Sequence, residues 1–312
     1  MSGEFVTLSQ MRNEAHINEV KKATLARFQQ LWQDNFQANQ AAINRHPPVA
    51  KLARKLKKMP AILVGAGPSL DKNIHYLREA QDKAVILASD AAYKPLVAHG
   101  ITPAMAVCLD PQEDITKFFS GVSHRDVFLV APTIVHPRVL DIWEGGVIFY
   151  HQHAPDIPIL TQIANLLPKI GSLTPGGSVL SVAYHLAFEL GCDPILFLGQ
   201  DLSYPKTKIY SRLGENEEET LDGTMNRQQE NIVYEEDMNG VSLPTLKSMS
   251  VSKQWFNWAF TTWKREFPVS VINCSEAGIL TDNVEMMPFK EAIFRHCTKK
   301  VNVGWQLKKA LK

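Results

Sequence analysis

The chain has 312 residues, 45% of them hydrophobic, and a formal net charge of +1. That size and composition predict one large globular domain, or one domain with an appendage, and the charge balance argues against nucleic acid as a partner. The polar N-terminus carries Glu4, Arg12 and Glu14, and no apolar run approaches about 18 residues, so neither a signal peptide nor a membrane span is expected.

Residues 1–48 are rich in helix-forming types. Val20, Ala23, Leu25, Phe28, Leu31 and Phe36 recur at a spacing that makes one apolar stripe, which must cover something. This predicts an N-terminal helical appendage, ended by His46-Pro47-Pro48, whose stripe lies on the body of the protein or, as the lesser alternative, on a second subunit. The basic run Arg54-Lys55-Leu56-Lys57-Lys58 reads as a solvated face, as does the acidic run Glu215-Asn216-Glu217-Glu218-Glu219.

From Pro60 onward short apolar runs alternate with amphipathic ones. Ala61–Val64, Ala84–Ala88, Ala104–Leu109, Val127–Val130, Val147–Tyr150 and Ile195–Leu198 read as strands buried on both faces, with Val269–Asn273 as the last. Helices are expected near 71–80, 91–99, 113–120, 137–143, 159–167 and 178–190. The alternation predicts an α/β fold, a doubly wound, mostly parallel Rossmann-like sheet over residues 49–298. Residues 202–248 are long and polar, as in a lid-like insertion. The helix that follows holds Trp255, Phe256, Trp258, Ala259, Phe260 and Trp263, a set that reads as core. Residues 299–312 read as a basic tail. Cys108, Cys192, Cys274 and Cys297 form no C-x-x-C pair and are expected to be reduced thiols in or near the core of a cytoplasmic protein.

Ligands of such sheets sit at the carboxyl ends of the strands, and those ends are polar here. Strand one runs into Gly65-Ala66-Gly67-Pro68-Ser69, a turn that can aim backbone N–H groups and a helix dipole at an anion. It satisfies neither G-x-G-x-x-G nor G-x-x-x-x-G-K-[ST], and its competing reading is a turn whose glycines serve packing alone. Other strand ends carry Ser89-Asp90, Asp110-Pro111, His151-Gln152-His153 and Gly199-Gln200-Asp201. Thr174-Pro175-Gly176-Gly177-Ser178 is a second glycine-rich entry to a helix. Ser89 and Thr174 equally suit helix caps or turns, and the histidines equally suit hydrogen-bonded strand ends.

These motifs, with Asp71, Tyr204 and Asn273-Cys274-Ser275-Glu276-Ala277-Gly278, together resemble the motility accessory factor family over roughly residues 20–285. That family's central domain is shared with an archaeal 6-hydroxymethyldihydropterin diphosphokinase. The resemblance implies a glycosyltransferase that moves a nonulosonic acid, such as pseudaminic or legionaminic acid, from a cytidine monophosphate (CMP) donor to Ser or Thr of flagellin. It would need no cofactor. Gly65, Gly67, Pro68, Ser69, Ser89 and Asp90 would then bind the nucleotide phosphate. Thr174, Gly176, Gly177, Ser178, Gln200, Asn273, Ser275 and Glu276 would hold the donor sugar. Asp110, Asp201, His151 and His153 are the candidates for a catalytic charge or base, and the residues do not choose among them. The chain is shorter than many members and has Glu276-Ala277-Gly278 where Glu-Gly-Gly is expected. Two other readings stand beside this one: an ATP-dependent diphosphokinase with Mg²⁺ on Asp90, Asp110 and Asp201, and a non-catalytic flagellin-binding module. The oligomeric state is left open.

Overall fold

The structure, a computed structural model, describes residues 14–204, 210–211, 223 and 228–312. Nine parallel strands form one sheet in the order β11-β10-β7-β1-β2-β3-β4-β5-β6. They are β1 (Ala61–Val64), β2 (Val85–Ser89), β3 (Met105–Val107), β4 (Phe128–Pro132), β5 (Val147–Gln152), β6 (Ser172–Leu173), β7 (Ile195–Leu198), β10 (Val271–Asn273) and β11 (Glu285–Met286). The chain builds β1 to β6 outward in one direction, then returns through α7 (Val179–Leu190) to place β7 on the other side of β1. The order therefore reverses between β1 and β7.

Period-two alternation sends each strand's side chains to opposite layers. Ile62 and Val64 enter the core under α1 (Glu14–Arg45), α4 (Asp90–Ala98) and α5 (Pro137–Ile142). Ala61 and Leu63 enter the core under α7 and the aromatic helix α8 (Lys247–Glu266). Trp255, Phe256, Phe260 and Trp263 are buried there, and the Tyr184 and Trp263 rings stack at 5.4 Å. The four cysteines are buried and free.

Several segments differ from the sequence expectation. The two-residue strands β6 and β11 have too little apolar length to show a pattern. Residues 113–120 form a 3-10 helix, Glu113–Phe118. Within the expected lid, β8 (Ile232–Glu236) and β9 (Ser242–Leu246) pair as an antiparallel hairpin. The acidic run 215–219 lies outside the described residues. The lysines of the basic run, Lys55, Lys57 and Lys58, are exposed as expected, while its backbone covers the end of α7, with the Arg54 and Leu56 N–H groups donating to the Glu189 and Leu190 carbonyls. A cationic segment is favourable at that negative end of the dipole. The expected basic tail contains α10 (Val303–Leu311), which buries Val303 and Leu307. No helix among the described residues is long and apolar enough to cross a membrane.

The ends of β1 and β7 approach closely. The Gly67 N–H donates to the Gly199 carbonyl at 2.9 Å. A Cβ on Gly67 would lie 2.7 Å from Asp201 Cγ and 2.7 Å from the Gly199 oxygen, and one on Gly278 would lie 2.1 Å from the Asp201 oxygen. These glycines exist for strand-end packing. Gly67→Val is therefore expected to lower folding stability by about 2 kcal/mol or more, the scale of overpacking. An unchanged urea midpoint and slope in that variant would contradict the contact.

Candidate functional site

The turn after β1 and the start of β7's outgoing loop form a closed unit. The Ser69 N–H donates to Asp201 Oδ2 at 2.9 Å, and the Ser69 hydroxyl donates to Asp201 Oδ1. Asp201 is buried, and burial pushes its carboxyl up to about 6 against the two hydrogen bonds from Ser69, which pull the other way. The anion at this turn is thus the protein's own. In this structure the N–H groups of the expected cradle at Gly65, Gly67 and Ser69 are all engaged within the protein, Pro68 has none to offer, and Asp201 accepts from Ser69 as an internal cap.

Asn273, Ser275, Gln200 and Glu276 belong to the same stitching. Ser275 Oγ accepts the Gln200 N–H at 3.0 Å, Asn273 Oδ1 accepts the Ser275 N–H at 2.9 Å, and the Asn273 amide donates to the Leu280 carbonyl. Glu276 accepts from the Asn73 amide at 3.0 Å and from the Phe289 N–H at 3.2 Å, at the start of α9 (Phe289–His296). None of these four lines the cavity described next.

That cavity, of about 550 Å³, lies over the carboxyl ends of β2, β3, β5 and β6. It brings together Asp90, Asp110, His153, Thr174, Gly177 and Ser178 from the sequence candidates, and adds Gln152. The roof is Thr24, Phe28 and Trp32 of α1, with Ser248 and Trp255 of α8 along one wall. Tyr210 completes the enclosure. Its size suits a small organic ligand. The stripe on α1 therefore covers a site as well as core.

Each polar group is set by its element. Ser89 caps α4 by accepting the Ala92 N–H at 3.3 Å, and Asp90 accepts the Ala91 N–H at 2.7 Å. Burial drives the Asp90 carboxyl up to about 7; the Ala91 hydrogen bond opposes this, and the nearby Asp110 carboxylate adds to it. Asp110 sits on a loop held by β5, whose Tyr150 hydroxyl and Gln152 amide donate to the Cys108 and Leu109 carbonyls at 2.8 and 3.0 Å. Gln112 donates to Asp110 through its backbone and side chain, and Arg27 of α1 donates to Gln112 Oε1 at 2.5 Å.

His151 and His153 separate. His151 is buried away from the cavity: its Nε2 donates to the Leu167 carbonyl at 3.0 Å, so its Nδ1 accepts from the Thr133 hydroxyl at 3.0 Å. Both ring nitrogens are thus engaged within the protein, the arrangement of a hydrogen-bonded strand end. His153, half-buried, faces the cavity; burial first and His185 second pull its basicity down, with Asp156 opposing, so it is a neutral imidazole near pH 7.

The start of α7 supplies the positive end of a twelve-residue helix, with no acid in its first turn and no side-chain bond from its cap Ser178. Gly176 lies beneath it, where a Cβ would fall 2.1 Å from the Trp255 ring, and its N–H donates to Ser181 Oγ at 2.6 Å. Trp32 Nε1, Thr174 Oγ1 and Trp255 Nε1, all on cavity-lining residues, are buried with no hydrogen-bond partner among the described residues. Such groups are rare in folded proteins, and three on one cavity single it out. Among the described residues no lysine or arginine lines it, and no set of three or more His, Cys, Asp or Glu is placed to hold a metal ion.

The sequence pattern of the family described as 6-hydroxymethylpterin diphosphokinase MptE-like matches residues 34–207, from α1 to beyond β7. An uncharacterized protein of Treponema pallidum (strain Nichols) is 32% identical over 158 residues, which are 49% of this chain and 27% of that protein. A second is 34% identical over 85 residues, 27% of this chain and 40% of that protein. The solved structure of MAf glycosyltransferase from Magnetospirillum magneticum AMB-1 has the same fold, with a TM-score of 0.61 and 19% identity over 95% of this chain and 44% of its own. The chain thus spans less than half the length of each of these proteins. With the family pattern running over more than half of its residues and through the strands that carry the cavity, the chain belongs to the 6-hydroxymethylpterin diphosphokinase MptE-like family.

Proposed function

We propose that the chain is a cytoplasmic glycosyltransferase that moves a nonulosonic sugar from a CMP donor to a Ser or Thr hydroxyl of flagellin. The observation that carries this reading is the charge layout of the cavity: one unopposed helix start, three carboxylates (Asp90, Asp110 and Asp156) and no lining cation among the described residues. A nucleoside monophosphate sugar brings two separated single charges, whereas a triphosphate concentrates several and calls for lysine, arginine or metal. The glycosyltransferase named as a structural neighbour, and the resemblance to motility accessory factors, support the same choice.

In this reading the start of α7, with Gly177, Ser178 and the Thr174 hydroxyl, takes the donor's anionic groups. Phe28, Trp32 and Trp255 enclose it and keep water out. The bond from the anomeric carbon to the phosphate oxygen breaks, CMP leaves, and the acceptor oxygen bonds to that carbon. Asp110 stabilises the positive charge that develops on the sugar. His153 accepts the proton of the acceptor hydroxyl. Asp90 forms the floor.

The diphosphokinase chemistry named in the family description has one observation in its favour. Asp90 and Asp110 share the cavity, and two carboxylates with substrate phosphates are an ordinary Mg²⁺ set. Asp201, engaged with Ser69, would not join them.

Calorimetric titration with CMP and with a non-hydrolysable ATP analogue, each with and without Mg²⁺, separates these readings. CMP binding that is indifferent to Mg²⁺ is expected; Mg²⁺-dependent binding of the ATP analogue alone would overturn the proposal in favour of diphosphokinase chemistry, and binding of neither would leave a non-catalytic module.

Asp90 gives a second expectation. Its carboxyl is raised from 3.8 to about 7, so the folded state holds the proton more tightly than the unfolded chain. Its contribution to stability is full below about pH 4 and is lost as pH rises to about 7. Asp90→Asn should match the parent at pH 4 and exceed it by on the order of 2–4 kcal/mol at pH 8, in urea melts run across that range. A pH-independent difference would contradict the burial of this charge.

A further inference from the structure

The turn after β1 serves the insertion as well as β7. Ser69 faces Asp201, but the Ala66 carbonyl accepts the Ser211 N–H at 2.9 Å and the Asp71 carboxylate accepts the Ser211 hydroxyl. Ser211 is completely buried. A serine held through both its N–H and its hydroxyl, out of water, is fixed in place and in orientation. Long insertions need such anchors, because every added residue brings conformational freedom that must be removed. The first residues of this one are tied down separately: Thr245 Oγ1 donates to the Leu202 carbonyl at 2.6 Å, and the Tyr204 N–H donates to the Pro244 carbonyl at 3.0 Å. Ser211 is a further anchor, reaching across to β1.

Its neighbour in the chain is Tyr210, half-buried and lining the cavity. With Ser211 fixed, the Tyr210 Cα is fixed too, and two side-chain torsions remain to it. Its ring joins the indoles of Trp32 and Trp255 around a cavity with no lining cation among the described residues.

We propose that Tyr210 is a ligand-binding residue that stacks on a planar, π-faced part of the ligand, and that the turn after β1 is the latch that sets its position through Ala66 and Asp71. On the donor reading given above, that planar group is the nucleobase, and this half of the proposal rests on that reading. The latch stands on the hydrogen bonds alone. Aromatic rings recognise bases through their faces with little regard to base identity, so Tyr210 governs how tightly a nucleotide is held, whereas the cavity's polar groups govern which one.

The test compares the full chain with Tyr210→Phe, Tyr210→Ala, Ser211→Ala and the double variant Tyr210→Ala/Ser211→Ala. CMP affinity is measured by calorimetry and backbone hydrogen exchange over residues 210–211 by mass spectrometry. Tyr210→Ala is expected to weaken CMP binding about tenfold or more, and Tyr210→Phe to retain it. Ser211→Ala should speed exchange over that segment and weaken CMP binding, yet add nothing once Tyr210 is alanine. Parental affinity in Tyr210→Ala overturns the stacking role. Additive losses in the double variant, or unchanged exchange in Ser211→Ala, overturn the latch. Should the parent chain bind the ATP analogue and not CMP, the donor reading fails while the same variants titrated with that analogue still decide the role of Tyr210. If the parent binds neither, base stacking is overturned and exchange alone decides the latch.

Discussion

The structure depends on one buried carboxylate. Asp201 accepts both hydrogen bonds that Ser69 can donate and thereby locks the outgoing ends of β1 and β7 together, at the place where the strand order reverses. An aspartate costs free energy to bury, and its carboxyl is correspondingly displaced upward. The cost is offset by the hydrogen bonds and by closing a gap between two strands that lie on opposite branches of the chain. Glycine at 65, 67, 199 and 278 is a condition of that closure, since a side chain at any of these would meet backbone or the Asp201 side chain.

Sealing the reversal point displaces the open space. In open parallel sheets the crevice at the reversal is the usual ligand site, but here the cavity sits beside it, over β2 to β6. Two helices distant in sequence, α1 and α8, close it from above and pack against each other. Its apolar lining concentrates the field of the few polar groups within it, which is why Asp90 and His153 are both displaced from their ordinary basicity by burial before any other cause.

The order of strands and helices was legible because fully buried parallel strands are continuous apolar runs, and six of the nine in the sheet announced themselves in this way, with Val269–Asn273 a seventh broken by Ser270. The polar strand ends were legible as a group, but their partners were not. The turn Gly65–Ser69 looks the same in sequence whether it cradles a ligand or a carboxylate 132 residues away. Period two along β5 distinguishes Tyr150 and Gln152, which reach toward the β3 loop, from His151, which points to the other side. The contribution of α1 was half visible. Phe28 belonged to the stripe, but Trp32, Asn35 and Asn39, which are more buried, were absent from it. Asparagine reads as surface by composition, and only the carbonyls it meets explain its burial.

Those asparagines give α1 a particular character. The Asn35 amide donates to the Pro111 and Ile134 carbonyls, and the Asn39 amide to the Thr133 and Val135 carbonyls, so two side chains satisfy four strand-end acceptors after β3 and β4. At 3.6 residues per turn, Thr24, Phe28, Trp32, Asn35 and Asn39 fall within an arc of about 80°. Anchor and roof are one stripe on one rigid rod. A single inserted residue between them would turn the roof about 100° away from the cavity while leaving the anchor seated, so the helix acts as a ruler whose phase, more than its composition, is what the site requires of it.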